Sequence, residues 1–227
     1  MDVINNFIFV CSHEMKNCRI IIRAAQGDSI KFKAFVVDPS AGFLFLTKFN
    51  LQNRTNASLS RFTLDGMNEV SLIKGKMFYP HELTLDIALK RIYFLDHHFD
   101  FIQQCDYDGG NRKFLQKLPL MKFHRIVFFE NNFFGAVTQK NSSIVQISKS
   151  SSSFKKVLAE NLKENTKMMK IFHQQTQPSN AGKSKVCAAN NKCEHLCVPV
   201  VDGSSSKVME KCICKEGFIA LESGKCS

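Results

Sequence analysis

A repeating unit constrains this chain more tightly than its size or composition does. The stretch Val36-Val-Asp38-Pro-Ser-Ala-Gly-Phe-Leu-Phe-Leu-Thr47 is followed by Ser60-Arg-Phe-Thr-Leu-Asp65-Gly66. The same order returns as Leu83-Thr-Leu-Asp86-Ile-Ala-Leu-Lys-Arg-Ile-Tyr93-Phe-Leu-Asp96 and then Phe101-Ile-Gln-Gln-Cys-Asp-Tyr-Asp108-Gly109. Asp38 and Asp86 stand 48 residues apart, and Asp65 and Asp108 stand 43 apart. A weaker copy runs from Met121-Lys-Phe-His-Arg-Ile-Val127 to Ile144-Val-Gln-Ile147, and a truncated one spans Phe7-Ile-Phe-Val10 and Cys18-Arg-Ile-Ile-Ile-Arg23. Self-similarity on this scale marks an architecture in which each unit buries its apolar face against the next.

Each unit holds short runs rich in Phe, Ile, Val and Tyr, separated by Asp-Pro, Asp-Gly and Asn-Asn. That is strand and hairpin chemistry, and no helical period persists between the runs. Four short strands in a unit of roughly 40 to 45 residues predict a propeller blade. An ordinary β-sandwich would space its strands evenly without a recurring Asp and Asp-Gly pair. The serine run 148–153 reads as a solvated loop, since the glycines of a phosphate cradle are absent. The composition of 176–184 reads as a linker.

The cysteines constrain the end of the chain. Of nine, six lie at 187, 193, 197, 212, 214 and 226. A stretch that short buries too little apolar area to fold unaided, so a disulfide-stapled module in an oxidising compartment is expected. Six cysteines allow fifteen pairings from sequence alone. Met1-Asp-Val-Ile-Asn-Asn-Phe-Ile-Phe-Val lacks the sections of a secretory signal, and the conflict with the cysteines reads as a chain incomplete at its start. No apolar run approaches the roughly 18 residues of a spanning helix. The net charge of +11 is scattered, without a basic-aromatic motif, and nucleic-acid binding is not expected.

Tyr93-Phe94-Leu95-Asp96 and the preceding Pro80-His-Glu-Leu-Thr-Leu-Asp86 resemble the Tyr-Trp-Thr-Asp motif and its approach in the low-density lipoprotein receptor family. That family pairs a six-bladed YWTD propeller with an EGF-like module. Lys170-Ile-Phe-His173-Gln-Gln-Thr-Gln-Pro178 is similar to the segment closing its last blade, and Cys187 through Cys193-Glu-His-Leu-Cys197 to the start of its module. The chain departs in having no Trp and 21 Phe, so that Phe94 stands for the motif Trp, and Lys48 replaces the motif Asp in the preceding unit. The expected fold is therefore all-β: a partial propeller of about four blades over 1–178, a linker at 179–185 and an EGF-like module at 186–227. With four blades in place of six, the chain is expected to be part of a longer receptor or a truncated isoform, with open strand edges.

The resemblance implies the pairs Cys187 with Cys197, Cys193 with Cys212 and Cys214 with Cys226. A zinc site is the rival, but Cys212-x-Cys214 is tighter than the usual knuckle and Gly217-Phe218 suits an EGF-like hairpin. Acidic residues do not cluster before Cys187, which disfavours a calcium-binding module. Cys11 and Cys18 flank a loop between adjacent runs and suit a local disulfide. Cys105 reads as a buried thiol. Asn53, Asn56 and Asn141 head glycosylation sequons in polar loops, with one of the first two expected to be occupied.

No nucleophile elbow, His-Glu-x-x-His helix or Cys/His signature occurs, and neither enzyme activity nor a cofactor is expected. The resemblance implies protein ligands of lipoprotein or yolk-protein type, or other extracellular proteins, met by an extracellular segment of a single-pass receptor, or by a secreted protein if the chain is complete. Membrane attachment would come only through a downstream span. A docking platform of a matrix glycoprotein or a Wnt co-receptor is the alternative. The family releases ligands in acid through its propeller, and His97-His98 follow the Tyr93 strand directly. Histidine's ordinary pKa, about 6.5, lies between extracellular and endosomal pH, so the adjacent imidazoles are candidates for a pH-sensitive docking surface. His173 reads as a packed structural residue.

Overall fold

The computed structural model describes residues 6–25, 29–53, 56–118, 122–138, 142–151, 155–162, 169–173, 176, 186–187, 192–202 and 207–227. Its regular elements are all strands. β1 (Phe7–Cys11) and β2 (Cys18–Arg23) form a two-stranded piece. Blade I consists of β3 (Ile30–Asp38), β4 (Phe43–Asn50), β5 (Ser58–Thr63) and β6 (Val70–Lys74). Blade II consists of β7 (Pro80–Asp86), β8 (Arg91–Asp96), β9 (Phe101–Asp106) and β10 (Lys113–Lys117). Blade III consists of β11 (Lys122–Phe129), β12 (Asn132–Thr138), β13 (Ser142–Ser148) and β14 (Lys155–Leu162). β15 (Leu196–Val201) and β16 (Val208–Ile213) make the hairpin of the cysteine-rich end.

Within every blade, neighbouring strands are consecutive and antiparallel, so the chain meanders from an inner strand (β3, β7 or β11) to an outer one. The inner strands lie side by side. The architecture is a partial propeller: three full blades and a two-stranded piece, with a disulfide-rich hairpin after them. The strand β14 was not legible in the sequence, because Lys-Lys-Val-Leu-Ala-Glu-Asn-Leu carries the polar content of a solvated outer strand.

Three apolar layers join these units face to face. Ile8 and Ile22 pack on Phe32, Leu44 and Phe62. Phe45, Leu59 and Ile73 of blade I meet Leu83, Phe94 and Tyr107 of blade II. Tyr93, Leu95 and Ile102 meet Phe128, Phe133 and Val145 of blade III. Phe94, in the motif Trp position, is 1% exposed, and the motif residue Tyr93 packs edge-on against Phe133 at 5.2 Å. Its hydroxyl accepts a 2.7 Å bond from Lys149 of blade III.

The recurring acids prove to be turn residues. Asp38 accepts from the Ala41 amide, Asp86 from Leu89, Asp65 from Met67 and Asp108 from Gly110. Asp96 works at the opposite end, holding the amides of Phe78, Tyr79 and His98. Lys48, at the corresponding position of blade I, pairs with Glu69 instead. The glycines of the Asp-Gly turns have a second role. A Cβ on Gly66 would lie 2.0 Å from the carbonyl oxygen of Ile21, and one on Gly109 would lie 2.6 Å from that of Leu72. Each turn thus rests on the backbone of the last strand of the preceding unit, at φ of +83° and +88°. Gly109→Ala is expected to destabilise by about 2 kcal/mol or more, through clash and strained φ together. Equal denaturation midpoints for variant and parent would refute this close approach.

Antiparallel succession sends alternate connections to opposite faces. One face carries the β3–β4, β5–β6, β7–β8 and β9–β10 turns, and the other carries the β4–β5, β6–β7 and β8–β9 connections. The cysteine-rich end docks at the first face: Lys211 bonds Asp65 at 2.5 Å. Arg19 donates to the carbonyls of Cys214 and Phe218, while the Glu216 amide bonds the carbonyl of Cys18.

Candidate functional site

Between the inner strands of the three blades runs an open groove of about 750 Å³. Its polar lining has a register. Lys33 of β3, His81 of β7 and Arg125 of β11 line it near one another, each five residues before Asp38, Asp86 and Glu130 respectively in the sequence. Asp38 is fully buried at the interface of blades I and II, so Asp86 and Glu130 are the acids that line the groove's other end. Residues 169–171 and Thr176 form one wall.

The cationic end holds a dense titratable cluster. Arg125 bonds Glu82 at 2.6 Å, and Lys33 sits 5.0 Å over the Tyr79 ring. The rings of His81 and His97 lie 5.4 Å apart. Nδ1 of each is buried and has no hydrogen-bond partner among the described residues. Burial, reinforced by the positive charges of Lys33, His97, Arg125 and His124, pushes His81 down to about 4. Burial also pushes Glu82 up to about 7, outweighing the opposite pull of Arg125 and Lys33. Desolvation is the larger cause of the His81 shift, and the charges of Lys33 and Arg125 add to it.

His97 and His98 occupy the β8–β9 connection on the face away from the cysteine-rich end. The His97 amide donates to the Tyr79 carbonyl at 3.0 Å. His98 is exposed and stacks on Phe78 at 4.7 Å, with Phe99 edge-on to both. The sequence draws attention to this pair but not to His81, Lys33 or Arg125. The signal for those three was their common spacing before the recurring acid, hidden because three different side chains fill the position.

Cys11 is joined to Cys18, Cys187 to Cys197, Cys193 to Cys212 and Cys214 to Cys226. His195, Cys214 and Cys226 gather within 4.8 Å, but sulfurs joined to each other offer no thiolate to a metal. Cys105 is buried, and burial pushes its thiol up to about 12, which leaves it unreactive at neutral pH. Asn53 and Asn56 are exposed in the β4–β5 connection, on the same face as His97 and His98, and Asn141 lies outside the described residues. His173 is exposed, with its ring 4.8 Å from that of Phe129.

No protein-family profile matches the chain. It is 23% identical over 198 residues, 87% of its length, to the human low-density lipoprotein receptor-related protein 5. It is 22% identical over 224 residues, 98% of its length, to the vitellogenin receptor of Solenopsis invicta. The chain spans 12% of the length of each of these relatives. Among solved structures, nidogen in a nidogen–laminin complex superposes with a TM-score of 0.58 at 18% identity, over 69% of this chain and 59% of that one. A luciferin-regenerating enzyme superposes with a TM-score of 0.52 at 16% identity, over 69% and 56%. The similarity to these receptors over most of the chain, the motif from Tyr93 to Asp96 and the blade architecture support its reading as a YWTD propeller region of low-density lipoprotein receptor type.

Proposed function

We propose that the chain is a non-enzymatic, extracellular protein-docking segment of a lipoprotein-receptor-type endocytic receptor. In this reading residues 1–178 are the propeller unit, 179–185 the linker and 186–227 the EGF-like module. The carrying observation is the vitellogenin receptor match, which covers 98% of the chain. Four disulfides support an oxidising compartment. The fold alone does not exclude catalysis, since it is shared with a luciferin-regenerating enzyme. Docking is favoured because the sequence similarity runs to receptors. The ligands are proteins of lipoprotein or yolk-protein type. A second reading, a matrix docking platform, draws on the likeness to nidogen in its complex with laminin.

Surface plasmon resonance on the secreted, oxidised chain tests both. Binding of purified lipoprotein or vitellogenin, with faster dissociation at acid pH, is the expected result, whereas binding of laminin alone would replace it with the matrix reading. Acid release is assigned to the His97-His98 loop, where charge gained on protonation would alter an aromatic docking surface. A His97→Gln, His98→Gln double variant is expected to keep its affinity at about pH 7.4 and to release more slowly at about pH 5.5. Unaltered acid dissociation in that variant would remove the pair from the mechanism.

A further inference from the structure

We propose that the aromatic platform formed by Phe78, His98 and Phe99 is the seat of the first sugars of an N-linked glycan carried by the β4–β5 connection, at Asn53 or Asn56. This goes beyond the docking reading and does not depend on it. The three rings make one continuous surface: Phe78 stacks on His98 at 4.7 Å, and Phe99 stands edge-on to Phe78 at 5.1 Å and to His98 at 4.9 Å. Phe99 is 36% exposed, and His98 is exposed as well. One residue holds the platform in place. The fully buried carboxylate of Asp96 accepts the amides of Phe78 at 2.8 Å and His98 at 3.0 Å, and its main-chain carbonyl accepts the Phe99 amide at 3.3 Å. Rings held this firmly lose little freedom when something lies on them.

The sequons Asn53-Arg-Thr55 and Asn56-Ala-Ser58 stand beside this platform. The Gly75 amide bonds the Ala57 carbonyl at 3.0 Å, and Ala57 and Met77, both fully buried, belong to one apolar cluster. Asn56 is thus one residue before this contact, and Phe78 is one residue after it. The tether is ordered too: the side-chain oxygen of Asn50 accepts the amides of Gln52 and Asn53, and the Asn56 amide donates to the Asn53 carbonyl at 3.0 Å. A pyranose has a face of C–H groups that lies flat on an aromatic ring, electropositive edge against electronegative face, while its hydroxyls stay in water. Covalent attachment makes that contact intramolecular, so stacking too weak to hold a free sugar becomes populated. A protein surface would have to displace the bulky glycan to reach these rings, so the sequons favour sugar as the occupant. His97 takes no part in the platform, since its ring packs beside Tyr79 and His81 instead.

The test uses the full oxidised chain, secreted by a eukaryotic host with isotope-labelled sugars. Glycopeptide mapping is expected to find Asn53 or Asn56 occupied. In NMR spectra the N-acetyl and ring protons of the first sugar should lie upfield of their free-glycan positions, because the aromatic rings shield whatever lies on their faces. Phe99→Ser, at an exposed position, should return those signals toward the free-glycan values. Removing the glycan with Asn53→Gln, Asn56→Gln is expected to lower Tm by about 2 °C or more in the parent chain, and by less than half of that in the Phe99→Ser background. A glycan that stabilises only through solvation or through the unfolded chain would give the same drop in both backgrounds. Bare asparagines at both positions, unshifted sugar signals, or equal Tm drops in the two backgrounds would each overturn the proposal. Lipoprotein or vitellogenin binding is read separately, so the docking reading stands or falls on its own experiment.

Discussion

Replacing Asp38 with Ala is expected to lower the unfolding free energy by about 3 kcal/mol. The carboxylate is fully buried, and it ties two blades together. From blade I it accepts the Ser40 hydroxyl and the Ala41 amide, and from blade II it accepts Lys90 at 2.8 Å and the Tyr107 hydroxyl at 3.0 Å. Lys90 is about half exposed, so its ion pair contributes little by itself. Most of the cost comes from the Tyr107 hydroxyl, which loses its acceptor where water has little access, whereas the Ala41 amide keeps its bond to the Asp38 main-chain carbonyl. Burial alone would raise the pKa of Asp38, but the hydrogen bonds from Lys90, Ser40 and Tyr107 and the charge of Lys90 outweigh it and hold the group below 3.8. The sign follows from linkage: this stability is fully present above the unfolded-state value and is lost as the pH falls through the lower folded-state one. Asp38→Asn keeps the shape and is expected to cost less than Ala while removing this group's part of the acid dependence, with Asp65 and Glu69, also held low, supplying the rest. Guanidinium unfolding at neutral and acid pH measures both variants, and a loss below about 1 kcal/mol for Asp38→Ala would show that the blades do not depend on this carboxylate.

The double substitution Cys193→Ser, Cys212→Ser is expected to unfold the cysteine-rich end while the blades stay folded. That end buries only a few apolar side chains, chiefly Leu196, Val198 and Val200. The bridge closes a loop of 19 residues, and its removal costs about 3 kcal/mol, comparable to everything a module of this size gains from its core. Pulsed proteolysis with mass mapping should then show cleavage at Lys207 and Lys211 and continued protection of β7 to β9. Unchanged protection at Lys211 would mean that docking through Asp65 and Arg19 suffices to hold the end folded.

What the sequence reveals, and what it hides, divides along physical lines. The blade period is legible because turn acids and Asp-Gly pairs serve backbone geometry, which tolerates few substitutes: Asp38, Asp65, Asp86 and Asp108 all cap turns. The third unit is faint for a similar reason. Its inner hairpin turns on Glu130 and Asn131, both at positive φ, without the Asp and four-residue turn of blade II. The outer strand β14 is hidden because one of its faces and its free edge meet water and admit lysines. Lys33, His81 and Arg125 escape notice because three different side chains fill the position five residues before the recurring acid, so only their spacing marks them. Spacing alone leaves fifteen pairings open for the six terminal cysteines, and only the family resemblance narrows them.

The seating of each Asp-Gly turn on the backbone of the preceding unit has a mechanical consequence. Gly66 bears on Ile21 and Gly109 on Leu72, so each blade is indexed to the one before it, like teeth cut to a fixed pitch. Stability in such an array is a sum over adjacent interfaces, and strain introduced at one tooth passes first to its immediate neighbour. The cysteine-rich end, held by Asp65 in the turn next to Gly66 and by Arg19 on β2, grips the array where the first tooth engages. A force pulling on that end would therefore load the interface between the two-stranded piece and blade I before it reached the groove.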